Sequence, residues 1–74
     1  MSTNIKMEEI GKRIKEIRLE EDLSQQNFGE LLSVSQDTVS LWEKGKSLPT
    51  AEFLITIALT FEVSVDYILC LKDY

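Results

Sequence analysis

The 74 residues are enough for one domain, and we expect residues 1–74 to form a single one. A net charge of −5 argues against a general nucleic-acid coat, and no apolar run approaches the roughly 18 residues of a membrane span or resembles the core of a signal peptide, so we expect a cytoplasmic protein. The sequence has no histidine and only one cysteine, Cys70, which excludes an internal disulfide and argues against a metal site.

Two amphipathic helices are predicted in the first half of the chain. The first, at residues 8–20, is indicated by isoleucines at the i, i+4 and i+7 spacing of one helix face: Ile10, Ile14 and Ile17. Ser24 can accept a hydrogen bond from an unpaired backbone N–H, so it predicts the start of a second helix at residues 25–32. Gly29 lies inside that helix, where glycine costs up to about 1 kcal/mol relative to alanine, and this indicates that another helix approaches closely.

Three further helices are predicted from residues that can cap a first turn. The caps and the helices that follow them are Ser35 before residues 36–44, Thr50 before residues 51–61 and Ser64 before residues 65–71. Gly45 fits the left-handed position that ends many helices. Aromatic residues at helical spacing are expected in the core: Phe28, Trp42, Phe53 and Phe61. The sequence therefore predicts an all-α fold, a compact five-helix bundle.

The two helices at residues 25–44 have the spacing of a helix-turn-helix, because each has about two turns and a break of three or four residues separates them. In such a unit the second helix enters the major groove of double-stranded DNA, and the first helix crosses the backbone. The side chains expected to meet the DNA are therefore those on the outer face of the second helix, especially near its N-terminus: Gln36, Asp37, Ser40 and Leu41.

The run LSQQNFGELLSVSQDTVSLWEKGKSLP, at residues 23–49, resembles the phage-repressor helix-turn-helix family of lambda-type repressors, Cro proteins and XRE-type regulators. The shared features are a leading Leu-Ser-Gln, a Val-Ser turn, a Trp-Glu-x-Gly-Lys ending, a proline before the next helix and Val-Ser-x-Asp-Tyr-Ile-Leu near the end, so that the resemblance covers about residues 10–69. It implies a lambda repressor-like domain, usually a homodimer on a two-fold symmetric operator, with no enzymatic activity and no cofactor.

The resemblance also implies roles for single residues. Gln25 matches a glutamine that contacts phosphate and supports the base-reading side chains. Gln36 is the best candidate for reading a base, because a glutamine amide can bond N6 and N7 of adenine together. Asp37 could accept a hydrogen bond from N4 of cytosine, and Leu41 could only touch a thymine methyl group.

Other residues of this region have implied roles outside base reading. Thr38 either contacts phosphate or packs at the helix start, and Ser40 lies at the outer edge. Lys44 and Lys46 suit phosphate contacts around the end of the second helix, with a solvated charge pair as the alternative. One departure from the family pattern is Ser33, which stands at the turn position that is usually glycine, and serine at positive φ is strained.

Two groups of residues are expected to hold helices or subunits together. Arg18 and Glu43 match a family ion pair that joins the first helix to the third, which is a structural role. The apolar residues at 65–71 are too many for one side of one short helix, so part of this segment is expected at a surface. We therefore expect a homodimer through the last helix, with contacts from Ile68, Leu69 and Leu71.

Two classes of function fit these features. The first is a sequence-specific DNA-binding transcriptional regulator, a repressor that occupies its operator as a dimer; an antitoxin or a restriction-modification controller is a narrower form of it. The second is a protein-interaction module with the same fold, an antirepressor or regulatory partner, because the chain is acidic and its outer face has no arginine or lysine before Lys44. No catalytic constellation and no small-molecule ligand are evident.

Overall fold

The computed structural model describes residues 6–74, and these residues form five α-helices without a strand. The helices are α1 (Met7–Glu20), α2 (Gln25–Leu32), α3 (Gln36–Glu43), α4 (Ala51–Phe61) and α5 (Val65–Ile68). The predicted all-α fold is confirmed. Within residues 6–74, no helix is both long enough and apolar enough to cross a membrane.

The fifth helix is shorter than predicted, because it ends at Ile68 and not at residue 71. Cys70 takes a left-handed backbone with φ 61°, through which a right-handed helix cannot continue. The N–H of Leu71 turns back and donates to the carbonyl of Asp66 at 2.9 Å. Helices commonly close in this way on a glycine, and the sequence has no glycine here to indicate it.

Serine side chains start three of the helices, as predicted. Each serine hydroxyl accepts a hydrogen bond of 2.9 to 3.1 Å from the backbone N–H three residues later. The N–H of Asn27 donates to Ser24, that of Thr38 to Ser35 and that of Tyr67 to Ser64. Thr50 has the extended backbone of a cap, but its side chain makes no cap bond, so that part of the prediction is wrong. Its carbonyl accepts from the N–H of Leu54 at 3.0 Å, the same first backbone bond that the carbonyls of the three serine caps accept.

One hydrophobic core draws on all five helices. Its buried side chains, each at most 5% exposed, are Ile10, Ile14, Ile17, Phe28, Leu32, Val39, Trp42, Ile57 and Ile68. Phe61 and Phe53, predicted as core, are half-buried at its edge. Phe61 stacks on Phe28 with ring centroids 5.4 Å apart. Phe53 lies against Trp42 at 5.6 Å, so α4 is held against both helices of the helix-turn-helix.

Glycine allows α1 to approach the end of α3 closely. A Cβ on Gly11 would overlap the carbonyl oxygen of Trp42 and lie 2.7 Å from that of Glu43, so there is no room for a side chain. Gly29, predicted to admit another helix, faces the turn that follows its own helix instead. A Cβ there would lie 2.6 Å from the carbonyl oxygen of Val34.

Replacing Gly11 by alanine is expected to lower the free energy of unfolding by about 1–3 kcal/mol, because the added methyl group must push the end of α3 away from α1. Urea unfolding followed by circular dichroism measures the change. Lys12 is exposed in the same helix, so Lys12→Ala should stay within about 0.5 kcal/mol of wild type. A Gly11→Ala protein as stable as this control would contradict the close approach of the two helices.

Candidate nucleic-acid interface

The helix-turn-helix consists of α2, α3 and the three residues between them, in agreement with the spacing at residues 25–44. The turn is closed by the N–H of Val34, which donates to the carbonyl of Gly29 at 2.9 Å. Ser33 takes the left-handed φ of 60° that a glycine would adopt without strain. Since α3 packs against both α1 and α2, its inner face is buried and its outer face remains open.

The outer face of α3 begins with polar side chains. Gln36 and Asp37 are exposed, Ser40 is half-buried and Leu41 is 44% exposed. Asp37, Ser40 and Leu41 follow Gln36 by one, four and five positions, a spacing that brings all four to one side of a helix. The surface that α3 presents is therefore uncharged apart from Asp37, with one apolar side chain at its edge.

Three other candidate residues lie around α3. Thr38 is half-buried and its hydroxyl lies 3.0 Å from that of Ser35, so it is engaged at the helix start. Lys44 is the exposed C-terminal cap of α3, and the exposed Lys46 follows the left-handed Gly45. No other basic residue occurs between Arg18 and Lys72. The positive charge of the helix-turn-helix is therefore confined to the end of α3.

Arg18 and Glu43 lie together between α1 and α3. The Nε of Arg18 donates to Oε2 of Glu43 at 2.7 Å, and Nη2 donates to Oε1 at 3.0 Å. Both side chains are buried, with 9% and 4% of their surface exposed. Nη1 of Arg18 donates to the carbonyl of Leu23 at 2.8 Å, which ties the same guanidinium to the connection between α1 and α2. The hydrogen bond to Glu43 raises the pKa of Arg18 above its ordinary value, although burial alone would lower it.

Gln25 joins this ion pair, a contact that the sequence did not predict. It is the first residue of α2, is half-buried, and its Nε2 donates to Oε1 of Glu43 at 3.1 Å. The carboxylate therefore binds side chains from both α1 and α2. Among the described residues, no buried side-chain nitrogen or oxygen lacks a hydrogen-bond partner. No periodicity in the sequence signals this contact, because the three residues come from three separate helices.

The three residues predicted to contact a second subunit differ in how exposed they are in the fold. Ile68 is fully buried in the core, so its prediction as a surface contact is wrong: it is the residue by which α5 anchors to the domain. Leu69 is half-buried against the core, and Leu71 is 70% exposed. Leu71 is therefore the one predicted contact that offers a large apolar surface.

Two exposed apolar side chains on α4 were not predicted as surface. Ile55 is 52% exposed and Leu59 is 77% exposed. They are separated by four residues and lie on the face opposite the buried Ile57. The signal that could have found them is that α4 has apolar residues around nearly its whole circumference, more than one buried stripe can use.

The chain is similar to two curated proteins over most of its length. It is 34% identical over 61 residues to the HTH-type transcriptional activator BcrR of Enterococcus faecalis. The aligned region covers 82% of this chain and 30% of that protein. It is 36% identical over 55 residues to the antitoxin PezA of Streptococcus pneumoniae serotype 4, covering 74% of this chain and 35% of that protein. The chain thus spans about a third of the length of these relatives.

Among solved structures, the P22 c2 repressor protein in complex with a synthetic operator superposes with a TM-score of 0.75. The identity is 29%, over 80% of this chain and 89% of that one. A fold of five helices, in which the second and third form the helix-turn-helix, defines a lambda repressor-like domain. The helix-turn-helix family matches residues 14–68, so the chain belongs to that family, and the resemblance read from the sequence is confirmed.

Removing the carboxylate of Glu43 is expected to destabilise the fold strongly. Glu43→Ala leaves the Arg18 guanidinium buried without its partner, which typically costs about 3–5 kcal/mol. The matched control is Glu16→Ala, because Glu16 also pairs with an arginine of α1 but is 61% exposed. That loss should stay below about 1 kcal/mol. If both variants melt at the same temperature, the ion pair between α1 and α3 is not structural.

Proposed function

We propose that the chain is a sequence-specific, DNA-binding transcriptional regulator that represses by occupying a two-fold symmetric operator as a dimer. Residues 1–74 act as one DNA-binding unit in this proposal, with no catalytic role, and work where the DNA is, in the cytoplasm. The observation that carries the proposal is the open polar face at the start of α3, on the second helix of a helix-turn-helix. The similarity to a repressor solved on operator DNA supports it.

Base reading is assigned to the outer face of α3, chiefly at its N-terminal end. Gln36 is the principal reader, since its amide offers a donor and an acceptor to adenine. Asp37 accepts from cytosine, and Leu41 packs on a thymine methyl group. Ser40, one turn after Gln36, contacts the groove edge.

Phosphate contacts are assigned to the residues that flank α3 and begin α2. Lys44 and Lys46 supply the positive charge, and Gln25 and Thr38 supply uncharged donors. The acidic residues after the helix-turn-helix are Glu52 in α4, Glu62 at its end, Asp66 in α5 and Asp73 after α5. Like-charge repulsion from the phosphates is thereby limited to the few acids near α3.

The second candidate function is a protein-interaction module with the same fold, which is supported by Asp37, an anionic side chain on the face that would meet DNA. The similarity to the antitoxin PezA supports an antitoxin as a narrower form of the regulator. Sequence-specific DNA binding by the isolated chain distinguishes the regulator from a pure interaction module. An antitoxin that also regulates would bind DNA and a partner protein.

Selection of binding sites from a random-sequence duplex library, followed by mobility shift at physiological salt, tests the proposal. A regulator should enrich one two-fold symmetric site and bind it at least about 10³-fold more tightly than unselected duplex. Equal affinity for both duplexes, or no binding to either, would contradict the proposal and favour the interaction module.

Gln36→Ala is expected to weaken binding to the selected site by about 1–3 kcal/mol and to relax the preference at one base position. Binding to unselected duplex should be unchanged, because the amide reads a base and not a phosphate. The matched control is Lys46→Ala, which should weaken both duplexes alike and lower the salt slope by about one. Base reading by Gln36 is refuted if its alanine variant loses the same factor on both duplexes.

Dimerisation is assigned to the C-terminal segment, through Leu71 with the half-buried Leu69 beside it. Half-sites lie about 34 Å apart in such complexes, so the recognition helices must be held at that separation. Leu71→Glu should return a dimer seen by sedimentation to monomer, with the helical spectrum unchanged. The control is Leu59→Glu on α4, which is equally exposed and should leave the dimer intact. Dissociation by Leu59→Glu alone would move the interface to α4.

A further inference from the structure

The carboxylate of Glu43 has a second set of contacts that an ion pair alone does not require. Its Oε1 accepts from Nη2 of Arg18 at 3.0 Å and also from Nε2 of Gln25 at 3.1 Å. The Glu43 side chain is 4% exposed, whereas Gln25 is only half-buried at the start of α2. The Gln25 amide therefore lies between a buried charge and the surface of the helix-turn-helix.

We propose that Glu43 is a positioning residue for DNA binding, which holds the Gln25 amide in the orientation that donates to a phosphate. This inference rests on the proposed function, since it assigns a cause to one of its phosphate contacts. Glu43 does not touch the DNA in this arrangement. It acts through Gln25 alone.

The orientation follows from the chemistry of the two groups. A carboxylate only accepts hydrogen bonds, so the nitrogen end of the Gln25 amide must face Glu43 and the oxygen end cannot. One N–H of Nε2 is used in that bond, and the second N–H remains free for a phosphate oxygen. A hydrogen bond to an ionised acceptor is shorter and stronger than a neutral one, which makes this orientation well defined.

Holding the amide beforehand also favours binding through entropy. A free glutamine has one of the larger side-chain entropies, and a contact made by a mobile side chain must overcome the loss of that freedom. A side chain fixed before binding loses little, which is the general advantage of preorganisation. Because Arg18 fixes the carboxylate and the Leu23 carbonyl fixes Arg18, the orientation at the surface is set from α1.

The test compares Glu43→Gln, Gln25→Met and the double variant on the site selected by the wild-type protein. Glu43→Gln keeps the shape of the side chain, and its oxygen can still accept from Arg18. The new amide no longer fixes which end of the Gln25 amide faces it. If its oxygen takes the place of Oε1, it accepts from Gln25 in a weaker, neutral bond; if its NH2 group does, the Gln25 oxygen must turn toward it. Gln25→Met keeps the length of the side chain and removes its donor.

The sign of the Glu43→Gln effect separates positioning from electrostatics. Removing a negative charge near phosphates should tighten DNA binding if charge alone matters. Positioning predicts that binding is about tenfold weaker, the expected size for one hydrogen bond to a charged group. The salt slope should stay constant, because Gln25 carries no charge to release a counterion. Tighter or unchanged binding by Glu43→Gln would overturn the proposal.

Coupling between the two residues provides the second criterion. If Glu43 acts through Gln25, each single variant should lose about tenfold and the double variant no more than either one. Losses that multiply in the double variant would mean that Glu43 affects binding by another route. Ile57→Val is the stability control, because it loosens the core at a residue of α4 that makes no hydrogen bond to Glu43 or Gln25, and it should leave the DNA affinity unchanged.

Two further measurements keep the outcomes distinct. The NH2 proton signals of Gln25 in the free protein should move in Glu43→Gln, and not in Ile57→Val; an unmoved signal would overturn the proposal. If Glu43→Gln does not fold, Arg18→Met with Glu43→Leu removes the acceptor without leaving a buried charge, and the same tenfold loss is expected. If the wild-type protein binds no DNA although the Gln25 signal moves, the proposed function is wrong. If the wild-type protein binds strongly but the affinity losses of the two single variants multiply in the double variant, only this inference is wrong.

Discussion

The buried carboxylate of Glu43 is the point on which the rest of the helix-turn-helix depends. Removing an ion pair from water costs several kcal/mol per ion, and mutual attraction offsets this only when further hydrogen bonds complete the site. Here the Arg18 guanidinium spans both carboxylate oxygens and also bonds to the Leu23 carbonyl, and Gln25 bonds to the carboxylate. Three helices are thus held in register by one polar cluster. Because hydrogen bonds weaken steeply when their distance or angle departs from the preferred range, this cluster also fixes how the three helices are placed.

The close approach at Gly11 is what makes this cluster possible. With no side chain at Gly11, the end of α3 lies against α1, and Glu43 comes within reach of Arg18, seven residues along the same helix. The two features are complementary, since one gives the distance and the other the orientation. The angle at which α3 projects its outer face therefore depends on α1, a helix outside the helix-turn-helix itself.

Sequence reasoning predicts the parts of this protein that are encoded locally. The bounds of α2 and α4 were predicted from residues that can cap a first turn and from the apolar residues that follow them, and the side-chain caps Ser24, Ser35 and Ser64 follow from side-chain chemistry. It does not predict features that depend on tertiary structure. Ile68 and Leu71 look equally apolar in a short segment, and only the left-handed turn at Cys70 separates the buried residue from the exposed one.

The candidate site also has features that the local sequence predicts and features that only the fold shows. That the start of α3 is exposed can be read from the helix alone, because Val39 and Trp42 define its inner face. The ion pair was predicted through the family resemblance, since residues 25 positions apart have no local pattern to join them. The contact of Gln25 with Glu43 had no such precedent in the sequence. Only the fold brings those two side chains together.

The distribution of charge has a consequence for how such a protein would discriminate among DNA sequences. Non-specific affinity comes almost wholly from cations that neutralise phosphates, and the end of α3 with the loop after it has only Lys44 and Lys46 for this. Weak non-specific binding by one subunit leaves base contacts and a second subunit as the sources of affinity. Uncharged donors such as Gln25 then matter more than in a basic protein, because they add affinity without raising attraction to every phosphate. Fixing their orientation from the buried ion pair is a way to gain that affinity while the chain keeps its net charge of −5.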